Sequence, residues 1–112
     1  MEGAQMIARR WRGKVRAADF DAYLAYLEES GIAALGATPG NAGVVVFRHL
    51  DEPTDTADFE VVSYWRVLDD IKAFAGDDIS VARFFPEDDR YLVDRELTVR
   101  HDVVDSYPAV RV

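Results

Sequence analysis

Hydrophobic and polar positions change period several times along this 112-residue chain, and those changes divide it into elements. Between Met6 and Gly13, Ile7, Arg9 and Trp11 alternate with Ala8, Arg10 and Arg12, which predicts a first strand. From Ala17 to Ser30 the spacing turns helical, with Phe20, Tyr23, Leu24 and Leu27 at i, i+3, i+4 and i+7; Ser30-Gly31 ends it. Thr38-Pro39-Gly40-Asn41 is a turn, because Pro presets φ and Gly accepts positive φ. Gly43 to His49 is a second strand whose run Val44 to Phe47 is apolar on both faces. The polar, Pro-containing stretch Leu50 to Ala57 then makes a hairpin with a third strand, Phe59 to Trp65.

The period changes to helical again at Leu68, Ile71, Phe74 and Ala75, with Asp69 and Asp70 in the first turn and Gly76 closing the helix. A further apolar segment, Ile79 to Phe85, reads as a second helical piece that ends at Pro86. Arg95 to Val104 is the fourth strand, carrying Leu97, Val99, His101 and Val103 on one face. In the tail, Tyr107, Val110 and Val112 are apolar residues expected to dock on the same chain or on a partner.

The order βαββαβ is the ferredoxin-like split unit, an α+β fold with a four-stranded antiparallel sheet and both helices on one face. The chain is expected to form one domain over residues 1–112, with a core of about 6–104. Because strand two is apolar on both sides, the free sheet face also needs cover. The simplest cover is a second copy, which predicts a homodimer through the sheet face.

Composition narrows the function. The chain has no cysteine, hence no disulfide framework, thiolate metal site or Cys nucleophile. A net charge of −8 argues against nonspecific nucleic-acid binding, which depends on cationic phosphate contacts. No apolar run approaches membrane-spanning length and MEGAQMIARRW lacks the apolar core of a signal peptide, so the expectation is a cytoplasmic protein without membrane contact. Phosphate loops and a Gly-x-Ser-x-Gly elbow are absent. Two isolated His residues, His49 and His101, offer no metal spacing; consecutive Glu87, Asp88 and Asp89 read as solvated loop acids, so no metal site is assigned.

Thr38-Pro39-Gly40-Asn41, Ser63-Tyr64-Trp65, Ala73-Phe74-Ala75-Gly76-Asp77, Pro86-Glu87-Asp88-Asp89 and Val99-Arg100-His101 together carry a resemblance over roughly 6–104. The chain resembles the antibiotic biosynthesis monooxygenase family of dimeric α/β barrels. That resemblance implies a dimeric barrel whose relatives include cofactor-free oxygenases of phenolic compounds and haem degraders. In the cofactor-free polyketide oxygenases an Asn precedes the strand-three Trp by four residues; Trp65 matches the Trp, while Val61 stands at the Asn position. The haem-degrading site is not matched, since strand one has no Asn and Phe74 and Phe84 stand near its Trp and His positions.

Two classes of function follow. In the enzymatic one, a cofactor-independent monooxygenase acts on a small aromatic or phenolic compound. His101 is then the base, with an ordinary pKa near 6.5 suited to a phenol, and Trp65 a stacking wall. Arg9, Trp11, Arg83 and Phe74 would bind the substrate, Arg9 or Arg83 pairing with the anion. In the other class the chain is a non-catalytic small-molecule-binding or structural dimer of the same fold. For each residue the plainer reading also stands: Trp65 as core, His101 as a hydrogen-bonded core histidine, and the strand-one arginines as exposed or paired with acids.

Overall fold

Strand β1 (Met6–Arg16) is the centre of the fold, and every other strand is placed relative to it; the computed structural model describes residues 6–107. It pairs antiparallel along its whole length with β3 (Thr56–Trp65), from Ile7 opposite Trp65 to Arg16 opposite Thr56. A hairpin joins β3 to β2 (Asn41–Asp51), which forms the outer edge. The other edge of β1 is shared by two short strands, β4 (Leu92–Arg95) beside Gly13 to Val15 and β5 (Arg100–Val104) beside Met6 to Arg10. The order β2-β3-β1-β4, with β5 continuing the last position, is the ferredoxin-like arrangement expected from the sequence.

The expected fourth strand is therefore split. At residues 97–99 the chain leaves β1 and pairs instead with the 80–82 segment, through a bridge between Val81 and Thr98. Ala82 N–H donates to Leu97 O (3.0 Å) and Val99 N–H to Ser80 O (2.8 Å). This corrects the helical reading of Ile79 to Phe85: the Ile79, Ser80 and Val81 carbonyls and the Ala82 amide bond to Arg9 and to residues 97–99, so they are taken out of any i→i+4 ladder. Helix two is likewise shorter than its pattern, a 3-10 turn over Leu68–Ile71 followed by α3 (Lys72–Ala75), and a single turn, α4 (Asp88–Tyr91), precedes β4. Helix α1 (Phe20–Glu29) ends near the expected place, where Ser30 Oγ donates to Tyr26 O at 2.6 Å. Gly31 was read as the stop, yet α2 (Gly31–Gly36) continues there as a new helix.

Alternation decides which side chains the helices cover. Ile7, Arg9, Trp11, Gly13 and Val15 of β1 share a face with Ala57, Phe59, Val61, Ser63 and Trp65 of β3. One core cluster joins Val15, Ala57 and Phe59 to Tyr23, Tyr26 and Leu27 of α1 and to Leu92. A second joins Trp65 to Leu35, Ile71 and Phe74. Burying an aromatic or aliphatic side chain of this size stabilises by about 1.5–3 kcal/mol, so these clusters hold the helical layer to the sheet.

The opposite face is mostly polar. Arg10 donates two hydrogen bonds to Glu60 (3.0 Å each), Lys14 pairs with Asp58 at 2.8 Å, and Arg12 lies 3.6 Å from Glu60. Val45 and Phe47 are exposed there on β2, 41% and 54%. Tyr107 is also exposed, which departs from the expectation that it docks on its own chain; Val110 and Val112 lie outside the described residues. No helix among the described residues is long and apolar enough to cross a membrane.

Gly13 is buried where the Trp11 indole folds back along β1, and a Cβ there would collide with that ring and reach 2.9 Å from Leu92 Cδ2. Gly36, at the end of α2, has open space around it. Gly13→Ala is expected to cost about 1–3 kcal/mol through overpacking, whereas Gly36→Ala is expected to be neutral or slightly stabilising. Thermal melts of the two variants check this, and equal melting temperatures would contradict the packing described for Trp11.

Candidate functional site

The sheet face that carries the core also carries a charge. Arg9 sits on β1 between Ser63 of β3 and His101 of β5, and is 5% exposed. No carboxylate pairs with it among the described residues. One terminal nitrogen donates to Ile79 O (2.7 Å) and the other to Val81 O (3.1 Å). Its guanidinium carbon lies 5.7 Å from the centre of the Phe74 ring. Burial lowers its pKa from 12.5 to about 10, so it remains a cation at neutral pH.

This departs from the plainer reading of the strand-one arginines as exposed or paired with acids. The reason is strand parity. Arg10 and Arg12 point to the polar face and share Glu60, while Arg9 points into the core. Beside Arg9 is a cavity of about 60 Å³, bounded by Arg9, Trp11, Ser63, Phe74, Arg83 and Phe84. It is mostly apolar and aromatic, and has room for only a few water molecules. Arg83 lies over both Phe74 and Phe85, at 4.9 and 4.8 Å from the ring centres, and donates to Phe74 O at 3.0 Å. Trp11 donates its indole N–H to Glu96 O (2.8 Å) and meets Phe84 edge-on.

Four of the six residues nominated from sequence, Arg9, Trp11, Arg83 and Phe74, thus share one cavity wall. The other two do not line it. Trp65 is fully buried, and its indole N–H donates to Ser63 Oγ at 2.8 Å. Its influence on the cavity runs through that hydroxyl, not through a stacking surface. His101 is half-buried beside Arg9, and its Nε2 is buried without a hydrogen-bond partner. Burial first, and the Arg9 cation second, push its pKa below 6.5, with Asp102 opposing them.

Sequence reasoning missed three polar wall residues. Ser63 could have been found, since it shares a strand face with Trp65 two residues away. Tyr23 and Asp88 form a buried pair at one end of the cavity, the Tyr23 O–H donating to Asp88 Oδ1 at 2.9 Å while Asp88 Oδ2 accepts the Phe85 N–H at 2.7 Å. Asp88 is thus 4% exposed, against the expectation of a solvated loop acid. Burial, then Asp88, raises the Tyr23 pKa, so its proton stays on the oxygen. Glu87 and Asp89 turn outward to Arg90 and Arg95, and no cluster of three metal-type ligands forms among the described residues.

A larger groove, about 480 Å³, crosses the opposite sheet face past Lys14, Phe47, His49, Asp58, Asp94 and Glu96. Its Lys14 and Asp58 neutralise each other, and it holds none of the six nominated residues. The smaller cavity is where four of the nominated residues meet.

No family model matches the sequence, and neither does any curated protein. Solved structures do match. A Nitrosomonas europaea protein of unknown function aligns with a TM-score of 0.55 and 16% identity, over 99% of this chain and 97% of that one. A Chloroflexus aurantiacus protein with the provisional name antibiotic biosynthesis monooxygenase aligns at 0.53 and 15%, over 95% and 97%. A Mycobacterium tuberculosis protein aligns at 0.52 and 13%, over 95% and 99%. The chain has the fold of the antibiotic biosynthesis monooxygenases, and the resemblance read from its sequence holds at that level.

The depressed His101 pKa has a consequence for stability. The folded protein holds this proton less tightly than the unfolded chain, so His101 leaves stability intact above pH 6.5 and subtracts from it as pH falls toward the folded value. His101→Gln is expected to lose less melting temperature than wild type between pH 7.5 and about pH 5. Parallel losses in the two proteins would show that His101 protonates freely in the folded state.

Proposed function

We propose that the chain is a cofactor-independent monooxygenase of a small monocyclic phenol or enol, bound as its anion against Arg9. The observation that carries this reading is the buried guanidinium, with no carboxylate paired to it among the described residues, at the wall of an aromatic cavity. A free phenol has a pKa of about 10, and an opposite charge within a few ångströms lowers such a value by roughly 1–3 units. Arg9 therefore favours the phenolate, the form electron-rich enough to give an electron to O₂. The ring C–H becomes C=O, with one atom of O₂ entering the ring and the other leaving as water. Four electrons pass from substrate to oxygen, so phenol plus O₂ gives quinone plus water without a further reductant.

The cavity favours a single ring, because Phe74, Phe84 and Trp11 close on a space far below the several hundred Å³ of an ordinary ligand pocket. Ser63 and Tyr23 supply hydroxyls along the wall. His101, uncharged and with an unpaired Nε2 one strand away from Arg9, is the proposed proton acceptor. One set of observations favours the second reading, a non-catalytic binder of the same anion: His101 and Trp65 lie off the cavity wall, and Val61 stands where the cofactor-free oxygenases have Asn.

Oxygen uptake with a panel of monocyclic phenols, without added flavin or metal, decides between them. The oxygenase reading expects uptake coupled to a product with one oxygen gained and two hydrogens lost, and at least a hundredfold loss in Arg9→Met (about 2.7 kcal/mol in the barrier). Phenol binding without oxygen consumption would leave the binding reading and end the catalytic one.

The proposed partner is a second copy across the polar sheet face. Exposed Val45 and Phe47 supply its apolar part, and the Arg10–Glu60 and Lys14–Asp58 pairs are charges of both signs that a two-fold axis can match. Sedimentation at micromolar concentration is expected to give a dimer, and Phe47→Glu a monomer. A wild-type monomer would contradict the proposal.

A further inference from the structure

The outer wall of the cavity is held in place by few bonds, and Arg9 makes two of them. After a turn at Ile79–Ser80, residues 80–82 pair with 97–99 as a short two-stranded ribbon, held together by Ala82 N–H to Leu97 O and Val99 N–H to Ser80 O around the Val81–Thr98 bridge. Ala82 and Val99 of this ribbon border the cavity. One ribbon strand is anchored to the sheet at Glu96, whose N–H donates to Arg12 O and whose carbonyl accepts the Trp11 indole N–H. For the other with its turn, residues 79–82, the hydrogen bonds from Arg9 to Ile79 O and Val81 O are the only ones to β1 among the described residues. The ribbon's outer side is solvent-exposed at Val81 (46%) and Leu97 (67%), so no helix packs over it there.

We propose that this ribbon is a lid over the cavity and that Arg9 is its latch. The inference rests on the reading of Arg9 as the anion site. Peptide carbonyls are neutral acceptors, and an anionic oxygen accepts a hydrogen bond from a guanidinium about twice as strongly. A phenolate or carboxylate that reaches Arg9 therefore takes the guanidinium from Ile79 O and Val81 O. Those carbonyls then turn to water at the exposed ribbon, and residues 79–82 swing away from β1 with their 97–99 partner segment, which pivots between its anchors to β1 at Glu96 and Arg100. The small cavity and the need to admit a ring are reconciled in this way, since the closed volume is that of the latched form. A neutral ring of the same shape offers no anionic acceptor, only neutral ones no stronger than the carbonyls, and does not release the latch.

Amide hydrogen exchange tests the latch without any ligand. In Arg9→Lys the charge and stem remain, but a single ammonium cannot span two carbonyls as the fork does. Exchange at the Ala82 and Val99 amides is expected to speed up about tenfold or more, with the central Val62 amide of β3 unchanged. Equal acceleration at Val62, or none at Ala82 and Val99, would overturn the latch whatever the cavity binds. The ligand arm uses wild type with 4-nitrophenolate, an ionised single ring, and with nitrobenzene as its uncharged counterpart. Only 4-nitrophenolate is expected to speed exchange at Ala82 and Val99. Binding seen by absorbance together with slower exchange at these amides would overturn the latch and leave the anion site standing. An absorbance titration showing no binding would remove the anion site, and ligand-driven opening with it.

Discussion

A guanidinium taken out of water must keep its hydrogen bonds, and in this chain that requirement joins the sheet to the segment that closes its core. Leaving Arg9 without partners would cost several kcal/mol. Ile79 and Val81 meet the need with backbone carbonyls, which holds the turn at Ile79–Ser80 and the bridge residue Val81 against β1, where Val81 pairs with Thr98. The split of the fourth strand, the irregular course after α3 and the small aromatic cavity are all consequences of that arrangement. With two carbonyls as its partners, and no carboxylate paired to it among the described residues, Arg9 keeps a positive charge at the cavity wall, which the proposed anion site uses.

The contrast between neighbouring residues of one strand makes the point sharper. Arg10 is one position from Arg9 and meets Glu60 in a bidentate pair on the solvent side. That pair is partly buried, its side chains 30% and 16% exposed, and it serves to keep the polar face in register. Arg9, pointing the other way, lies among Phe74, Ser63 and His101, where burial makes its charge felt by each neighbour. The neutral state of His101 is one expression of this. The same field would act on any acidic group admitted to the cavity.

Much of this was legible in the sequence, and the reasons differ by element. Period-2 alternation in Ile7 to Trp11 and Phe59 to Trp65 gave the strands and the faces of their residues, because strand parity has no exceptions short of a bulge. The nomination of Arg9, Trp11, Arg83 and Phe74 followed from charge beside aromatics, and they do border one cavity. What could not be read were the segments whose backbone groups are satisfied across space: the apolar run Ile79 to Phe85 carries no mark that Arg9, seventy residues earlier, donates hydrogen bonds to two of its carbonyls. Gly31 looked like a helix stop and begins α2 instead. Asp88 in a run of acids gave no sign that it alone turns inward to Tyr23. Trp65 was legible as a strand-end aromatic, but its burial behind Ser63 was a matter of packing depth, which periodicity does not report.

The central claim is that Arg9 makes the cavity a site for an anion, and the ionisation of a bound chromophore measures that field most directly. Titrating 4-nitrophenol with pH by its visible absorbance, free and then bound to wild type and to Arg9→Met, gives the shift each protein imposes. A fall of about one unit or more on binding to wild type, lost in Arg9→Met, is the expected result. An unchanged or raised value on binding to wild type would mean that the cavity favours the neutral phenol, and would contradict the account.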